Sequence, residues 1–147
     1  MDHWIGLAVD SLKSIRPAPE TVILRPLAHD ETIVNPTFSG GLDLLGRALA
    51  LELACRYLPQ LLVKTRPTLP NKSLTRGQRR MELQDVYRVS LPAGSIGASL
   101  DGNTPFLLID DILTTGTTMR TLIHALTTSF AHCPIRVFTL TRAANTV

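Results

Sequence analysis

The chain reads as an α/β protein built on a parallel sheet flanked by helices. Apolar, β-rich runs at residues 21–25, 60–64, 106–109 and 135–140 alternate with stretches of helical periodicity at 2–14, 39–57 and 115–130. Such alternation is what crossover-connected parallel strands require. The length, 147 residues, suits one domain whose single core buries roughly two-thirds of the unfolded surface without metal or disulfide staples.

Taken in order, Trp4, Leu7, Ala8, Leu12 and Ile15 recur at helical spacing, so residues 2–14 form an amphipathic helix that packs on its own domain. Pro17 and Pro19 close it, making 1–19 an N-terminal helical segment and 20–147 the core. The β-rich run ending at Arg25 is stopped by Pro26 and reads as a buried strand. Residues 26–38 are loop, with a turn at Asn35 and Pro36. Ser39 is placed to cap a helix reaching about Tyr57, with Leu42, Leu45, Leu49 and Leu53 as its stripe.

A second strand is expected at 60–64. From Thr65 to Arg80 the sequence changes character: two prolines, no acidic residue, and positive charge at Arg66, Lys72, Arg76, Arg79 and Arg80 following Lys64. This is a basic surface loop, continued by a helical turn and a strand near 86–91. Residues 92–104 are rich in turn formers. A strand at 106–109, a helix at 115–130 and a strand at 135–140 complete the chain.

Composition narrows the function classes. With 44% hydrophobic and 18% charged residues the chain reads as globular, and its net charge of +3 is a mild excess. The two cysteines, Cys55 and Cys133, lie among apolar residues without metal-ligand spacing and read as inert thiols in a reducing compartment. No basic region precedes the first apolar stretch, as a signal peptide would need, and no apolar run approaches membrane-spanning length. The expected location is cytoplasmic, with no membrane partner.

The chemistry concentrates in Phe106-Leu-Leu-Ile-Asp110-Asp111-Ile-Leu-Thr114-Thr115-Gly116-Thr117-Thr118. An apolar strand delivers two carboxylates at its C-terminal end, where open α/β sheets bind ligands. A Thr/Gly turn then starts a helix, whose N–H groups and dipole suit a phosphate dianion. Gly116 admits close approach and positive φ, and the hydroxyls of Thr114, Thr115, Thr117 and Thr118 donate to phosphate oxygens. Asp110 and Asp111, when ionised, accept from the 2′ and 3′ hydroxyls of a ribose. Phosphate at one end and diol at the other describe a ribose 5-phosphate.

This string resembles the PRPP-binding motif of type I phosphoribosyltransferases: four apolar residues, two acidic, two apolar, then Thr-Thr-Gly-x-Thr. Within that superfamily the chain looks most like the ComF-type, competence-associated proteins. Three further segments carry that finer resemblance: the one from Leu44 to Ala50, the run from Lys64 through Thr68 to Leu74, Arg76 and Arg79, and the closing stretch around Val137 to Arg142. The resemblance implies a sheet flanked by helices with a small hood, here residues 65–91. It implies Mg²⁺-bound PRPP, with Thr114, Thr115, Gly116, Thr117 and Thr118 on the 5-phosphate and Asp110 and Asp111 near the ribose. It sets the pyrophosphate against the loop from Arg25 to His29. The basic loop at residues 65–80 is a candidate lid that supplies Lys72, Arg76 or Arg79 to that pyrophosphate. Pyrophosphate would leave the anomeric carbon through an oxocarbenium-like state. The resemblance departs at Asn35 to Gly41, which keeps little more than Phe38 of the ComF pattern.

Two function classes follow: a phosphoribosyltransferase with an unidentified acceptor, or a non-catalytic PRPP- or nucleotide-binding module serving DNA uptake or regulation. Single-stranded DNA, a competence protein and a second copy in a homodimer are the candidate partners. A nucleotide-triphosphatase reading of Gly41 to Ala48 fails because Arg47 and Ala48 stand where the phosphate-binding Lys and Ser/Thr belong. The basic loop carries no aromatic residue to stack bases. His29 lies beside the expected pyrophosphate loop, while His3, His124 and His132 are scattered.

Overall fold

A computed structural model describes residues 3–34, 40–70, 74–91, 94, 99–113 and 115–142, with Arg142 described in its backbone alone. Ser39, Lys72, Thr114 and most of the 35–41 segment therefore lie outside the described residues. The elements are α1 (His3–Lys13), β1 (Val22–Leu24), α2 (Gly41–Glu52), β2 (Arg56–Tyr57), β3 (Leu62–Lys64), α3 (Arg76–Glu82), β4 (Tyr87–Val89), β5 (Phe106–Leu113), α4 (Thr117–Ser129) and β6 (Ile135–Arg142).

Four strands form a parallel sheet in the order β2-β1-β5-β6. The two-residue side-chain period of a strand divides its apolar residues between two cores. Val22, Leu24, Phe106 and Leu108 face α4 and the β3–β4 unit, where Leu122 and Leu126 are fully buried. Ile23, Leu107 and Ile109 face α1 and α2, against Ile5, Val9, Leu45 and Leu49. Burying each such side chain favours the fold by roughly 1.5–3 kcal/mol.

This topology positions the site. The chain leaves β1 through α2 on one face toward β2, and leaves β5 through α4 on the other face toward β6. The central neighbours β1 and β5 thus part at their C-terminal ends, opening the crevice in which doubly wound sheets hold ligands.

Several elements differ from the sequence reading. The residues expected to end the second helix, Arg56 and Tyr57, form an edge strand instead, because Arg56 N–H and Leu58 N–H bond the Thr21 and Ile23 carbonyls. Residues 62–64 do form a strand, but β3 pairs antiparallel with β4 outside the main sheet. A 3-10 turn at Pro59–Leu61 makes that departure. In α1 the buried stripe is Ile5, Ala8, Val9 and Leu12, leaving Leu7 and Ile15 at least half exposed.

Gly40 takes the N-cap of α2, its N–H donating to Asp43 Oδ2 at 3.3 Å. The basic segment is more ordered than a loop. Thr75 and Gln78 form a reciprocal capping box for α3, and Arg66 ties back to Glu82 at 2.9 Å. The unit from β3 through α3 to β4 buries Leu62, Leu83, Val86 and Tyr87 in the sheet's own core.

Candidate functional site

β5 extends through Leu113 rather than stopping at Ile109. Asp110, Ile112 and Leu113 stay in register with Thr139, Thr141 and Arg142 of β6, so the two carboxylates sit on the strand itself. Each carboxylate accepts the following backbone N–H: Asp111 N to Asp110 Oδ1 at 2.9 Å, and Ile112 N to Asp111 Oδ1 at 2.8 Å. Asp111 is exposed. Burial, and then the neighbouring Asp111, push the Asp110 carboxyl up to about 7. A desolvated acid beside a second acid is a place where a hydroxyl donor or a cation is welcome.

After the strand the backbone turns at Gly116, with φ +69°, which caps α4. The first turn of that helix holds Thr117, buried, and Thr118, half-buried. The Thr115 and Thr117 hydroxyls lie 2.9 Å apart, so they converge on one side of the turn. Arg120, exposed on the same turn, donates to the Thr115 carbonyl at 2.8 Å. The sequence reading missed Arg120, although a cation four residues after the turn glycine falls beside that turn by helical spacing alone.

A cleft of about 1090 Å³ joins Asp110, Asp111 and Thr118 to the loop after β1, the start of α2 and the β3–α3–β4 unit. Arg25, His29 and Arg79 line it together with them. Arg76, at the start of α3, is exposed and lies outside the lining. Arg79 Nη2 donates to the Leu74 carbonyl at 3.4 Å.

Arg25 is 4% exposed and engaged by the protein itself. Its Nε donates to Asp43 Oδ1 at 2.8 Å, Nη1 to Glu31 Oε2 at 2.8 Å and to the Pro26 carbonyl, and Nη2 to Glu31 Oε1 at 3.1 Å. The Arg25 hydrogen bond leads in holding Glu31 below its ordinary value. Burial works to raise Asp43, but hydrogen bonds from Arg25 and Tyr57 overcome it and leave that carboxyl lowered. Tyr57 O–H donates to Asp43 Oδ1 at 2.6 Å.

Lys64 is a second buried cation on the cleft wall. Its ammonium donates to the Ala28 carbonyl and to Thr68 Oγ1, and lies 5.6 Å from the centre of the Tyr87 ring. Burial brings its pKa down to about 8 despite nearby Glu31, Asp30 and Glu82. Sequence reasoning gave Glu31, Asp43 and Lys64 no place in the site. Only the fold brings residues 31, 43 and 64 to one wall.

Both cysteines are free; Cys133 is buried and Cys55 half-buried, and burial raises each thiol pKa. Among the described residues no helix is long and apolar enough to cross a membrane.

By sequence, no family model and no curated protein matches the chain. By structure it is similar to adenine phosphoribosyltransferase from Saccharomyces cerevisiae, with a TM-score of 0.56, 13% identity and coverage of 95% of this chain and 68% of that one. It is similar to a hypoxanthine phosphoribosyltransferase from Staphylococcus aureus, with a TM-score of 0.54, 15% identity and coverage of 97% and 65%. Adenine phosphoribosyltransferase from Trypanosoma brucei, solved with AMP, pyrophosphate and ribose 5-phosphate, gives a TM-score of 0.53, 20% identity and coverage of 92% and 51%. The chain thus spans from half to about two-thirds of these neighbours' length. Its parallel four-stranded sheet flanked by helices is the fold of the type I phosphoribosyltransferases.

Proposed function

We propose that the cleft binds PRPP with Mg²⁺ and that the protein transfers the phosphoribosyl group to an acceptor still to be identified. One observation carries this reading: β5 brings Asp110 and Asp111 to the cleft and runs within a few residues into the Gly116-capped start of α4. Diol acceptors and phosphate donors therefore stand one strand end apart, as a ribose 5-phosphate needs.

In this reading the N–H groups and hydroxyls of Thr115, Gly116, Thr117 and Thr118 bind the 5-phosphate, joined by Thr114. The Asp110 and Asp111 carboxylates accept from the ribose hydroxyls and hold the ring for attack at the anomeric carbon. Arg76 and Arg79 approach the pyrophosphate from α3, and Arg25 positions the loop beside it. The bond from the anomeric carbon to the pyrophosphate oxygen breaks, the bonding pair leaves with pyrophosphate, and the acceptor's lone pair forms the new bond. The cleft wall excludes water while charge develops on the ribose.

The donor set fits Mg²⁺. Asp110 and Asp111 offer hard carboxylate oxygens, and among the described residues no group of three metal-ligating side chains forms a self-sufficient cage. A cation that prefers few protein carboxylates plus phosphate oxygens and waters suits such a pair. When bound, Mg²⁺ would neutralise charge on the leaving pyrophosphate.

A second reading, a non-catalytic PRPP- or nucleotide-binding module of ComF type, is favoured by the state of Arg25, whose guanidinium is held by Glu31 and Asp43. Single-stranded DNA or a competence protein would be the partner in that case, and a homodimer is compatible with either reading, as is a cytoplasmic location. Pyrophosphate release separates the two. Incubation with Mg-PRPP and a panel of purine and pyrimidine bases should liberate pyrophosphate if the chain is a transferase. Saturable PRPP binding with no release from any acceptor would favour the module.

A further inference from the structure

Resting on the phosphoribose reading, we infer that Glu31 is the specificity-determining residue for the diphosphate end of the ligand. Its carboxylate occupies, inside the cleft, the donors that a phosphate group would take.

The donors form a built anion site. Arg25 presents the edge of its guanidinium, Nη1 and Nη2, while Asp43 holds the opposite Nε. The backbone N–H of Ala28 points to the same spot and donates to Glu31 Oε2 at 2.7 Å. A planar fork plus a backbone N–H is the donor set that recognises carboxylate and phosphate alike.

The frame around these donors is braced from three directions. The Tyr87 hydroxyl bonds Leu27 N–H and the Leu27 carbonyl at 3.2 and 3.3 Å. The Lys64 ammonium holds the Ala28 carbonyl, and Thr68 N–H holds the His29 carbonyl at 2.8 Å. The aim of the Ala28 N–H is therefore fixed by the fold. The Glu31 side chain is the freer element: it is 15% exposed, lies on the cleft wall and turns on three single bonds.

The charge of the lining points the same way. Among the described residues, five acidic side chains face three basic ones there, and Glu31 is the acid that sits on the Arg25 Nη atoms and the Ala28 N–H. A diphosphate entering this end must displace the Glu31 carboxylate into water. A ligand with only the 5-phosphate, seated at the Gly116 turn, need not. Glu31 thereby weakens diphosphates selectively and leaves monophosphates unaffected.

The test is calorimetric titration of the parent, Glu31→Gln and Asp43→Asn with ribose 5-phosphate, inorganic pyrophosphate and PRPP, each with Mg²⁺. Glu31→Gln should bind pyrophosphate and PRPP about tenfold tighter, the scale of one charge-assisted contact released to the ligand, with ribose 5-phosphate unchanged. Asp43→Asn, which lowers the same local charge but frees neither Nη nor the Ala28 N–H, should gain much less. Equal diphosphate affinity in the parent and a folded Glu31→Gln would overturn the role of Glu31, as would an equal gain in Asp43→Asn. Should Glu31→Gln not fold, ¹⁵N-alanine labelling of the parent decides: the Ala28 amide resonance must shift as pyrophosphate saturates, and a stationary resonance overturns the inference. Ribose 5-phosphate binding to none of the proteins would instead sink the phosphoribose reading, while the pyrophosphate arm still tests Glu31.

Discussion

Arg25 Nε meets Asp43 Oδ1 at 2.8 Å with both side chains only 5% exposed, and this pair fastens the end of β1 to the first turn of α2. Glu31 completes the arrangement from the other edge of the guanidinium. Removing the cation would strand two carboxylates, and an uncompensated buried charge is far costlier than the intact pair is stabilising.

Arg25→Met is accordingly expected to lose about 3–5 kcal/mol of unfolding free energy at neutral pH. Glu31 and Asp43 are both held below their ordinary values. Their contribution is present above about pH 4, the unfolded carboxylate range, and is lost as pH falls through the lower folded values. The gap between parent and variant should therefore narrow from pH 7 to pH 3 in denaturant titrations. A gap that widened on acidification would contradict the assignment.

Gly46 packs against the Tyr57 ring so closely that an added Cβ would lie 2.7 Å from Cδ2. Gly46→Ala must shift the ring that donates to Asp43. The expected loss is about 1–3 kcal/mol, the usual cost of overpacking, measured by urea unfolding. Gly46→Ala with Tyr57→Phe should retain most of that loss, because the ring rather than the hydroxyl makes the clash.

What the sequence revealed and what it hid follow one physical line. Local patterns were legible: the apolar run into Asp110 and Asp111, the Thr/Gly turn, and the helical stripe of α4 all depend on neighbours within a few residues. The extension of β5 to Leu113 was not, because two acids after four apolar residues look like a strand end until pairing with β6 is known. β2 was hidden because its two residues continue a helical stretch, and only the Thr21 and Ile23 carbonyls make them a strand. Arg25 shows the limit most clearly. In sequence it is a cation beside a loop suited to anions, whereas the carboxylates that claim it arrive from 6 and 18 residues away. Gly46 likewise shows in sequence only a glycine within a helical pattern, and its close contact with the Tyr57 ring comes from the fold.

Gly116 holds φ +69° as the cap of α4. Gly116→Ala pays a left-handed strain of roughly 1–2 kcal/mol and alters the turn that is proposed to face the 5-phosphate. A modest fall in melting temperature is expected, with a larger, at least tenfold, loss of ribose 5-phosphate affinity. Unchanged affinity in the folded variant would remove this turn from the site.

Asp110 provides the pH test. Its folded value, raised to about 7 by burial and then by Asp111, lies above its unfolded value. Such an acid costs no stability below about pH 4 and its full penalty above pH 7, because the charged form is disfavoured only in the folded state. Asp110→Asn should thus gain stability over the parent as pH rises from 4 to 8, by roughly 1–3 kcal/mol after allowing for its partial exposure, while losing ligand affinity. Equal gains at pH 4 and pH 8 would contradict the raised value.

Titration calorimetry of the parent with PRPP and Mg²⁺, beside the folded Asp110→Ala/Asp111→Ala double variant, tests the phosphoribose site most directly. Saturable binding in the parent, weakened at least tenfold in the variant, is the predicted result. A well-folded parent that binds neither PRPP nor ribose 5-phosphate would contradict it.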